Sequence, residues 1–543
     1  MSIPSIPTAT QEQHNVVTKK VFLNNEELSN EISLVQVTIN KSFNKISYAR
    51  LVFNDGSVPD RDFPLSNDNK FKPGSTVKVQ LGYDGDVQTV FEGIIIKHGI
   101  KIRQQGGSLL MLEAKDKAIK LHGARKSAYF INQTDNQVIT SLAGDLQKDI
   151  GPTTFAHKQL VQYDCTDWDF LLTRAEANGM LVFTDDGKLV AKKPSTLLPP
   201  VVVATYGQNI WEFEAEMDAR RNIKQVEGQH WDYTQQQLLS AVTGTADFTE
   251  NGNIPSTELG NVIGAEIKLE NSGNLTQNQV QDIADAWALR NKLAKTAGRV
   301  RIAGNAVVKP GTMITLDGVG SRFNGNVFVT GVLHHFEGHW QTDIQFGWRE
   351  DWFYKKENVM DKPASGLLPG INGLQVGIVV DGSDDSQVNQ YRVKVKIPNI
   401  TSGNEGIYAR VATLTAGADY GTYFRPEAND EVILGFLNDD PREAIILGYL
   451  HSKDAHKWPF PEADKNFGFV TKAGLKMVLD ETNKKITITA PTSSGEHTIV
   501  LNDSGAMELK DDHQNSIKMD SSGITIQAGT GNVTIKGTMV KIN

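Results

Sequence analysis

The last part of the chain, residues 468–543, contains a repeat that restricts the possible folds more than any other stretch. Short triplets recur in it, Ile-Thr-Ile at residues 486–488 and 524–526 and Val-Thr-Ile at residues 533–535. Apolar residues two apart are typical of a strand with one buried face. Gly, Asn, Asp and Ser separate the triplets, as turns require. We therefore predict a series of short strands, each with an apolar and a polar side.

A longer, irregular repeat of about 17–22 residues relates residues 474–488, 496–509 and 516–526, near the lower end of the range for solenoids and β-helices. Such units cannot bury their apolar face alone. Three or four rungs of a single chain would have a thin core and an uncovered edge at the end. Three identical chains would pool their apolar sides, so we predict an intertwined trimeric β-helix or prism closed by threefold symmetry. The predicted core of this needle is Ile486, Ile488, Ile524, Ile526, Val533 and Ile535. The alternative is a solvated β-hairpin appendage.

Length and composition indicate a globular protein of several domains, mainly β with minor α. The chain has 543 residues, 39% of them hydrophobic and 22% charged, with 48 Gly and 19 Pro. A net charge of −9 without a basic stripe argues against a nucleic-acid partner. Residues 1–18 are polar and lack the apolar stretch of a secretory signal. Cys165 is the only cysteine, so no intrachain disulfide is possible and synthesis in a reducing cytoplasm fits.

The first two thirds of the chain alternate between strand and helix patterns. Alternating strands are predicted at residues 35–39, 49–53, 77–81, 90–96 and 109–112, as in a barrel or sandwich. Helices are predicted at residues 134–146, from Thr134 as N-cap, and in the segment 162–179, capped by Thr166 or Asp167. A capping box of Thr276 and Gln279 predicts another helix.

Several of these segments resemble VgrG and related spike-hub proteins of contractile injection systems. Asp-Trp-Asp-Phe-Leu at 167–171 and Glu-Ala-Asn-Gly-Met at 176–180 are similar to one hub segment of that family. Other similar segments are residues 77–83, 91–93, 114–116, 211–213, 226–232, 309–311, 323–325 and 329–334. Residues 377–380, 391–396, 408–412, 429–434 and 445–449 resemble its OB-fold, and they also read as the five short strands of a small closed barrel.

The resemblance implies tandem hub β-barrels, an OB-fold neck and a C-terminal needle. The predicted regions are a flexible N-terminus (1–18), a first hub barrel (19–130), a helical insertion (131–195), a second hub barrel (196–362), a linker (363–373), an OB-fold (374–452) and the needle (453–543). The gap 450–467 is too short for an inserted lysozyme domain, which some phage members carry.

The resemblance also implies partners and a mechanical role. A homotrimer would carry a PAAR-like tip cap at its C-terminal end, on Met539, Val540, Lys541, Ile542 and Asn543. Its hub end would meet the inner tube or baseplate adaptor proteins, and effectors are possible cargo. Assembled in the cytoplasm into the baseplate of an injection particle, the spike would pierce the target envelope when a sheath contracts. Type VI secretion, an extracellular particle and a phage tail all remain open.

The sequence contains no Gly-x-Ser-x-Gly elbow, His-Glu-x-x-His motif or phosphate-binding Gly loop, so we predict neither an enzyme nor a cofactor. His334, His335, Glu337 and His339 form a His-rich cluster, but adjacent residues of a strand point to opposite faces, so we predict a structural strand and turn rather than a metal site. Acidic pairs, at 384–385, 439–440 and 511–512, lie in turn-like settings that favour Asp. The lone Cys165 lacks a nearby His and is interpreted as incidental rather than nucleophilic.

Two alternative functions belong to other classes. A tail-associated cell-wall hydrolase would need paired carboxylates at a working separation. A glycan-binding adhesin would need exposed aromatic side chains at its tip, and no Phe, Tyr or Trp occurs after Phe469. The absence of aromatic residues there favours a piercing needle or a surface that docks a cap.

Overall fold

The computed structural model describes residues 16–104, 107–232, 237–271, 275–355, 370–381, 391–400, 403–451 and 466–542. The chain forms two compact units, Met1–Lys362 and Pro363–Asn543. The predicted N-terminal segment before residue 16, most of the predicted linker 363–373, the acidic pair 384–385 and Asn543 lie outside the described residues. The predicted domain limits within each unit stay predictions. No helix in the described ranges combines the length and apolarity needed to span a membrane.

The first unit is mostly β-structure. In chain order its strands are β1 (Val17–Leu23), β2 (Glu26–Glu27), β3 (Leu34–Ser42), β4 (Tyr48–Asn54), β5 (Thr76–Tyr83), β6 (Asp86–Ile102), β7 (Ser108–Lys115), β8 (Arg125–Thr134), β9 (Gln147–Ile150), β10 (Ala156–Thr166), β11 (Leu181–Asp185), β12 (Lys188–Lys192), β13 (Pro200–Thr205), β14 (Glu212–Met217), β15 (Gln225–Asp232), β16 (Gln237–Leu238), β17 (Val242–Thr243), β18 (Glu266–Asn271), β19 (Thr296–Ala303), β20 (Met313–Asp317), β21 (Gly325–Glu337) and β22 (His339–Phe346). Its α-helices are α1 (Pro64–Asn67), α2 (Asp135–Leu142), α3 (Asp167–Ala177), α4 (Ser256–Ile263) and α5 (Gln277–Ala294).

Thirteen of these strands form one sheet that joins both halves of the predicted hub. The order along its main path is β14-β19-β22-β21-β3-β4-β7-β6-β5-β1-β2, and β13 and β20 branch from β21. Strand β21 pairs with β3, so that Gly331 lies opposite Ser42 and Phe336 opposite Val37. The strands of the two predicted barrels are therefore hydrogen-bonded into one sheet, a connection that the sequence did not predict.

Two apolar cores pack on this sheet, one for each half. The first is built from β1 and β3–β7 around Phe53, Phe71 and Phe91, and the second from β13, β19–β22 around Ile314 and Phe346. Each long strand contributes side chains two apart, as a strand with one buried face must. The sheet thereby holds the two halves in a fixed relation through backbone hydrogen bonds.

The predicted helices are present with the predicted caps. Thr134 caps α2 with a capping box, but α2 ends at Leu142 rather than 146, because Gly144 has a left-handed backbone (φ +54°). Thr166 caps α3 by accepting a hydrogen bond from the Asp169 backbone N–H at 3.0 Å. Gly179 ends the turn after α3 at φ +69°. Thr276 and Gln279 form the predicted capping box of α5.

In the second unit, five strands form a closed barrel, as predicted for an OB-fold. Its strands are β23 (Gln375–Asp381), β24 (Arg392–Lys396), β25 (Ile407–Val411), β26 (Glu431–Phe436) and β27 (Ala444–Tyr449), in the closed order β23-β24-β25-β27-β26. Its interior includes Val393, Val432 and Leu434, whose side chains are fully buried. Each is flanked by residues that point outwards, so the alternation in sequence gives one filled core.

The rest of the second unit is a seven-stranded antiparallel sheet. Its strands follow one another in chain order as β28 (Asn466–Val470), β29 (Lys476–Asp480), β30 (Lys485–Pro491), β31 (Glu496–Leu501), β32 (Met507–Lys510), β33 (Ser516–Asp520) and β34 (Gly523–Gln527). The triplets 486–488 and 524–526 lie in β30 and β34 as predicted. The strand predicted at 533–535 is wrong for this chain, because β34 is the edge of the sheet and residues 528–542 follow irregular backbone without a partner strand.

Candidate assembly surface

One face of the C-terminal sheet carries two unbroken rows of apolar side chains. Cross-strand register places residues opposite one another from β28 to β34 with no shift in any pair. Row one consists of Phe469, Met477, Ile488, Ile499, Leu509, Ile517 and Ile526. Row two consists of Phe467, Leu479, Ile486, Leu501, Met507, Met519 and Ile524. Since members of the two rows are two residues apart on each strand, both rows share one side, which we name the apolar face.

The opposite side of the same strands has a different character. The residues between the two rows are Gly468, Val478, Thr487, Val500, Glu508, Lys518 and Thr525. Towards β34 this side becomes polar and charged, which suits contact with water. The alternation therefore separates an apolar from a largely polar side along the sheet.

The apolar face is exposed in a single chain. All of its side chains except Met477, Ile486 and Met519 are exposed, with Ile524 at 69%. Within residues 466–542 the only buried residue is Thr489, so the sheet has no core of its own. An apolar surface of this extent marks an interaction site. Full burial of one such side chain from an exposed state is worth about 1.5–3 kcal/mol, and about half of each is already covered, so covering both rows would contribute about 10–20 kcal/mol per chain before entropic costs.

Row one of the apolar face borders a concavity of about 650 Å³. Row one contributes Ile488, Ile499 and Leu509 to its lining, and Val533 from the tail lines it as well. Of the residues predicted as needle core, Ile486, Ile488, Ile524 and Ile526 lie in the two rows. Val533 lies beside row one, and Ile535 is exposed without lining the concavity.

Sequence reasoning missed most members of the two rows. It selected the Ile-Thr-Ile triplets, whereas the rows also use Leu, Met and Phe, as in Met-Glu-Leu at 507–509 and Ile-Lys-Met at 517–519. Every one of these triplets has apolar residues at its ends and any residue between them. A search for that alternation, without the threonine, would have found both rows.

The proposed docking residues at the C-terminal end are exposed in the part that the structure describes. Met539 is 73% exposed, Val540 50% and Ile542 90%, and Lys541 is also exposed. Asn543 lies outside the described residues. The end of the chain thus presents three apolar side chains and one positive charge.

One cluster of potential metal ligands occurs among the described residues. Ligand atoms of Asp511, Asp512 and His513 all lie within 4.8 Å of one another, in the turn between β32 and β33. Asp512 Oδ2 accepts hydrogen bonds from Thr492 Oγ1 at 2.6 Å and Ser494 Oγ at 2.7 Å, and these bonds lower the pKa of Asp512. Asp511 accepts from backbone N–H groups of the same turn. These bonds tie two neighbouring turns together, in keeping with the predicted structural role.

The His-rich cluster of the first unit forms the predicted strand and turn. His334 and His335 lie in β21 and His339 begins β22, with Gly338 between them at φ +77°. His334 Nδ1 lies 3.1 Å from Thr342 Oγ1, while His335 Nδ1 lies 3.3 Å from Thr38 Oγ1. Burial, together with the charges of nearby lysines, lowers the pKa of His334 to about 3.

The remaining candidates from the sequence also take part in local structure. Asp439 is the last residue of a turn and has φ +57°. Asp440, which follows it, accepts hydrogen bonds from the Arg442 side chain. Cys165 is buried in a small apolar cluster with Phe130 and Phe170. Each residue has a structural explanation.

Buried charged side chains in the first unit connect segments that are far apart in the sequence. Lys41, with a 3% exposed side chain, pairs with Asp185 at 3.1 Å and Asp186 at 2.8 Å, so it joins β3 to the β11–β12 hairpin. Glu176 of the Glu-Ala-Asn-Gly-Met motif accepts hydrogen bonds from Asn44 Nδ2 at 2.9 Å and Arg290 Nη1 at 3.0 Å. These residues hold distant segments together, and the sequence alone gave no sign of the pairings.

Three family models match successive parts of the chain. The Alg8 N-terminal domain matches residues 13–338, more than half of the sequence. The type VI secretion system/phage-baseplate injector OB domain matches residues 375–451, which contain the closed barrel. The phage baseplate V C-terminal trimerisation domain matches residues 485–543, which contain most of the apolar face.

Individual relatives are more distant. The type VI secretion system spike protein VgrG3 of Vibrio cholerae serotype O1 is 35% identical over 101 residues, which are 17% of this chain and 10% of the relative. The chain thus matches about a tenth of that relative's length. A tail protein of Neisseria meningitidis MC58 is similar with a TM-score of 0.46 and 15% identity, over 62% of this chain and 98% of that one. The c3393 protein of E. coli, a type VI secretion component, has a TM-score of 0.41 and 12% identity, over 79% and 100%.

The order of the matched regions agrees with the architecture: a mixed sheet with helices, a closed barrel and a sheet with an uncovered apolar face. The chain belongs to the family of the Alg8 N-terminal domain, and with its injector OB domain and baseplate trimerisation domain it is a VgrG-like spike protein of the phage-baseplate and type VI secretion type.

Proposed function

We propose that this protein is the homotrimeric spike at the tip of a contractile injection apparatus, with a mechanical rather than an enzymatic role. The observation that carries the proposal is the uncovered apolar face, in a region that matches a trimerisation domain. Three chains that turn this face inwards would share one dry core. The polar parts of the opposite sides would then face water.

A rod of this kind would be stiff because its apolar core is shared by three chains. Burial of three such faces in one shared core would contribute apolar stabilisation that no separate chain has. Separation of the chains would expose both rows at once. Such a rod could be driven through a target envelope without unfolding.

The two ends of the spike would have different partners. The exposed end from Met539 to Ile542 is the proposed docking surface for a PAAR-like tip cap, and the hub would contact the inner tube or baseplate adaptors. Effectors would travel with the particle. We propose synthesis and assembly in the cytoplasm, followed by delivery on contraction. Loss of binding to a purified PAAR-type cap after truncation at Gly531 is the expected result; full binding by the truncated chain would contradict this assignment.

The stoichiometry of the purified full chain tests the central claim. We expect multi-angle light scattering to give the mass of three chains at micromolar concentration. Ile526→Asp, which places a charge on the apolar face, should abolish the trimer, because an unpaired carboxylate would be buried in the shared core.

Thr525→Asp is the matched control, because Thr525 precedes Ile526 in β34 and points to the opposite side. This variant should remain trimeric. A monomeric parent protein, or equal behaviour of the two variants, would contradict the proposal.

A further inference from the structure

Lys41 carries a nucleophilic amine that lies buried in the first unit. Its side chain is 3% exposed, and its Nζ lies 3.1 Å from Asp185 Oδ1 and 2.8 Å from Asp186 Oδ1. Asp185 ends β11, and Asp186 begins the turn to β12. The Asp186 side chain is 17% exposed. The fold therefore holds a primary amine against a carboxyl group at a place where water has little access.

The two carboxyl groups are not equivalent. Lys309 Nζ donates to both oxygens of Asp185, at 3.0 and 2.9 Å, but lies 4.0 Å from Asp186 Oδ2. Burial opposes the ionisation of Asp185, yet the charges of Lys41 and Lys309 lower its pKa. Burial raises the pKa of Asp186. Asp185 thus stays a carboxylate, whereas Asp186 takes up a proton more readily.

A third buried carboxyl group, that of Asp116, lies beside these two. Asp116 is 1% exposed, and its Oδ2 accepts from the backbone N–H of Gly187 at 2.8 Å. Burial raises the pKa of Asp116, and the charge of Asp186 acts in the same direction. Three carboxyl groups therefore accompany two ammonium groups, those of Lys41 and Lys309. Because like charges in one site disfavour each other, this balance favours a proton on Asp116 or Asp186.

A backbone donor contacts the carboxyl group of Asp186. The N–H of Glu92 in β6 donates to Asp186 Oδ1 at 2.9 Å. A fixed donor of this kind stabilises the negative charge that develops on an oxygen when a nucleophile attacks the adjacent carbon. The side chain of Glu92 pairs with Lys117 at 3.3 Å, so it adds no net charge here. The surroundings of Asp186 thus favour attack by the neighbouring amine.

We propose that Lys41 and Asp186 form an intramolecular isopeptide bond, which links β3 covalently to the turn between β11 and β12. The Lys41 ammonium gives a proton to the Asp186 carboxylate, and the lone pair of Nζ then attacks Cγ to form the C–N bond. The C–Oδ2 bond breaks with its electron pair on oxygen, which leaves as water with two of the three ammonium protons. The third proton stays on the amide nitrogen.

Two physical effects favour this condensation. The fold already holds the amine and the carboxyl group together, so their encounter costs no further entropy. Two buried charges also become one neutral amide, which removes the desolvation cost of the ion pair. Lys41 and Asp186 are 145 residues apart in the sequence, so the bond restricts the unfolded chain as a disulfide does. This inference is independent of the spike function proposed above.

The mass of the purified full chain under denaturing conditions tests the bond. We expect the main species to be lighter than the sequence by one water molecule. After digestion with trypsin, tandem mass spectrometry should find a branched peptide in which Lys41 is uncleaved and joined to the side chain of Asp186. A main species with the full mass of the sequence would overturn the inference. A branch point at Asp185 would overturn the assignment to Asp186.

Variants identify the groups that react. Lys41→Arg keeps the charge without the amine and Asp186→Ala removes the carboxyl group, so each should have the full mass. Asp116→Asn should lower the linked fraction, because the negative charge that favours a proton on Asp186 is lost. Lys295→Arg is the matched control and should stay linked, since Lys295 is also buried and lies 3.3 Å from Glu250. Circular dichroism would establish that each variant is folded.

A succinimide ring at Asp186 and Gly187 would also remove one water molecule. That ring forms by attack of the Gly187 nitrogen and does not need Lys41. Persistence of the mass loss in Lys41→Arg would therefore assign it to the ring and overturn the inference. Hydroxylamine separates the two products in the unaltered protein, because it opens a succinimide and leaves an isopeptide bond intact. We expect the branched peptide to survive this treatment.

Discussion

The closed barrel and the C-terminal sheet are built from similar strands, yet only the barrel can bury its own apolar residues. In the barrel, β23 pairs with β26 and β25 with β27, so no strand is left at an edge. In the C-terminal sheet, β28 and β34 are both edges, and the described residues leave most of the apolar face exposed. Closure, rather than composition, decides whether a short-stranded sheet is self-sufficient.

This difference has a consequence for assembly. A chain with a complete barrel and an incomplete sheet would fold in part by itself and in part only with its copies. The barrel would then be a stable base from which the sheet of each chain can meet its partners. The stability of the C-terminal sheet should therefore depend on protein concentration, whereas the stability of the barrel should not.

Paired alanine substitutions should show the difference between the barrel and the C-terminal sheet most clearly. Leu434 is fully buried in the barrel, and Leu434→Ala should lower the free energy of unfolding of the barrel by about 2–5 kcal/mol at any protein concentration. Ile499→Ala removes a side chain that is 39% exposed in one chain, so it should matter little at dilutions where chains separate. In the assembled protein, Ile499→Ala should lower the free energy of unfolding, because the side chain is lost from all three chains. Urea denaturation at several protein concentrations would measure both.

Ile433→Ala is the control for the barrel, because Ile433 precedes Leu434 and is only partly buried. We expect a clearly smaller loss than for Leu434→Ala. If the shift caused by Ile499→Ala were the same at all concentrations, the sheet would be as self-sufficient as the barrel and the comparison would fail.

The barrel was predictable from sequence because each of its strands can be recognised from the residues of that strand alone. Each of its five strands alternates buried and outward residues, as at Val432, Ile433 and Leu434, and turns separate them. The pairing of β3 with β21 was not predictable, since residues about three hundred positions apart carry no shared local pattern. For the same reason the pairing of Lys41 with Asp185 stayed hidden, because only the tertiary fold brings the charges together.

The sequence predicted that the C-terminal strands have an apolar side, but not how many residues belong to it. The two-residue period of apolar side chains predicted the strands, and the small number of apolar residues per strand implied that other chains must complete the core. Which residues lie opposite one another depends on the register of each hairpin, and turn lengths vary along the repeat. The strand expected at 533–535 failed because local preference cannot supply a missing neighbour.

A smaller effect should come from the polar contacts that connect turns of the C-terminal sheet. Thr492→Val removes the hydrogen bond from Thr492 Oγ1 to Asp512 Oδ2 and should cost about 1 kcal/mol per chain. The melting temperature of the assembled protein should fall slightly, and the mass should stay unchanged. Thr482→Val, in an exposed turn, is the control and should have no effect. Dissociation of the assembly by Thr492→Val would show that the turns, rather than the apolar face, hold the chains together.

The smallest effect concerns a single ion pair of the barrel. Hydrogen bonds from Arg442 lower the pKa of Asp440 to about 2, so the folded barrel binds this proton less readily than the unfolded chain does. The stabilisation is therefore complete above the ordinary pKa of about 3.9 and is lost as the pH falls through about 2. Arg442→Gln should raise the pKa of Asp440 towards its ordinary value, measured by NMR titration of the carboxyl carbon. An unchanged pKa in this variant would assign the shift to the backbone of the turn. In either case the oligomeric state should be unaffected, since this pair belongs to the region that needs no partner.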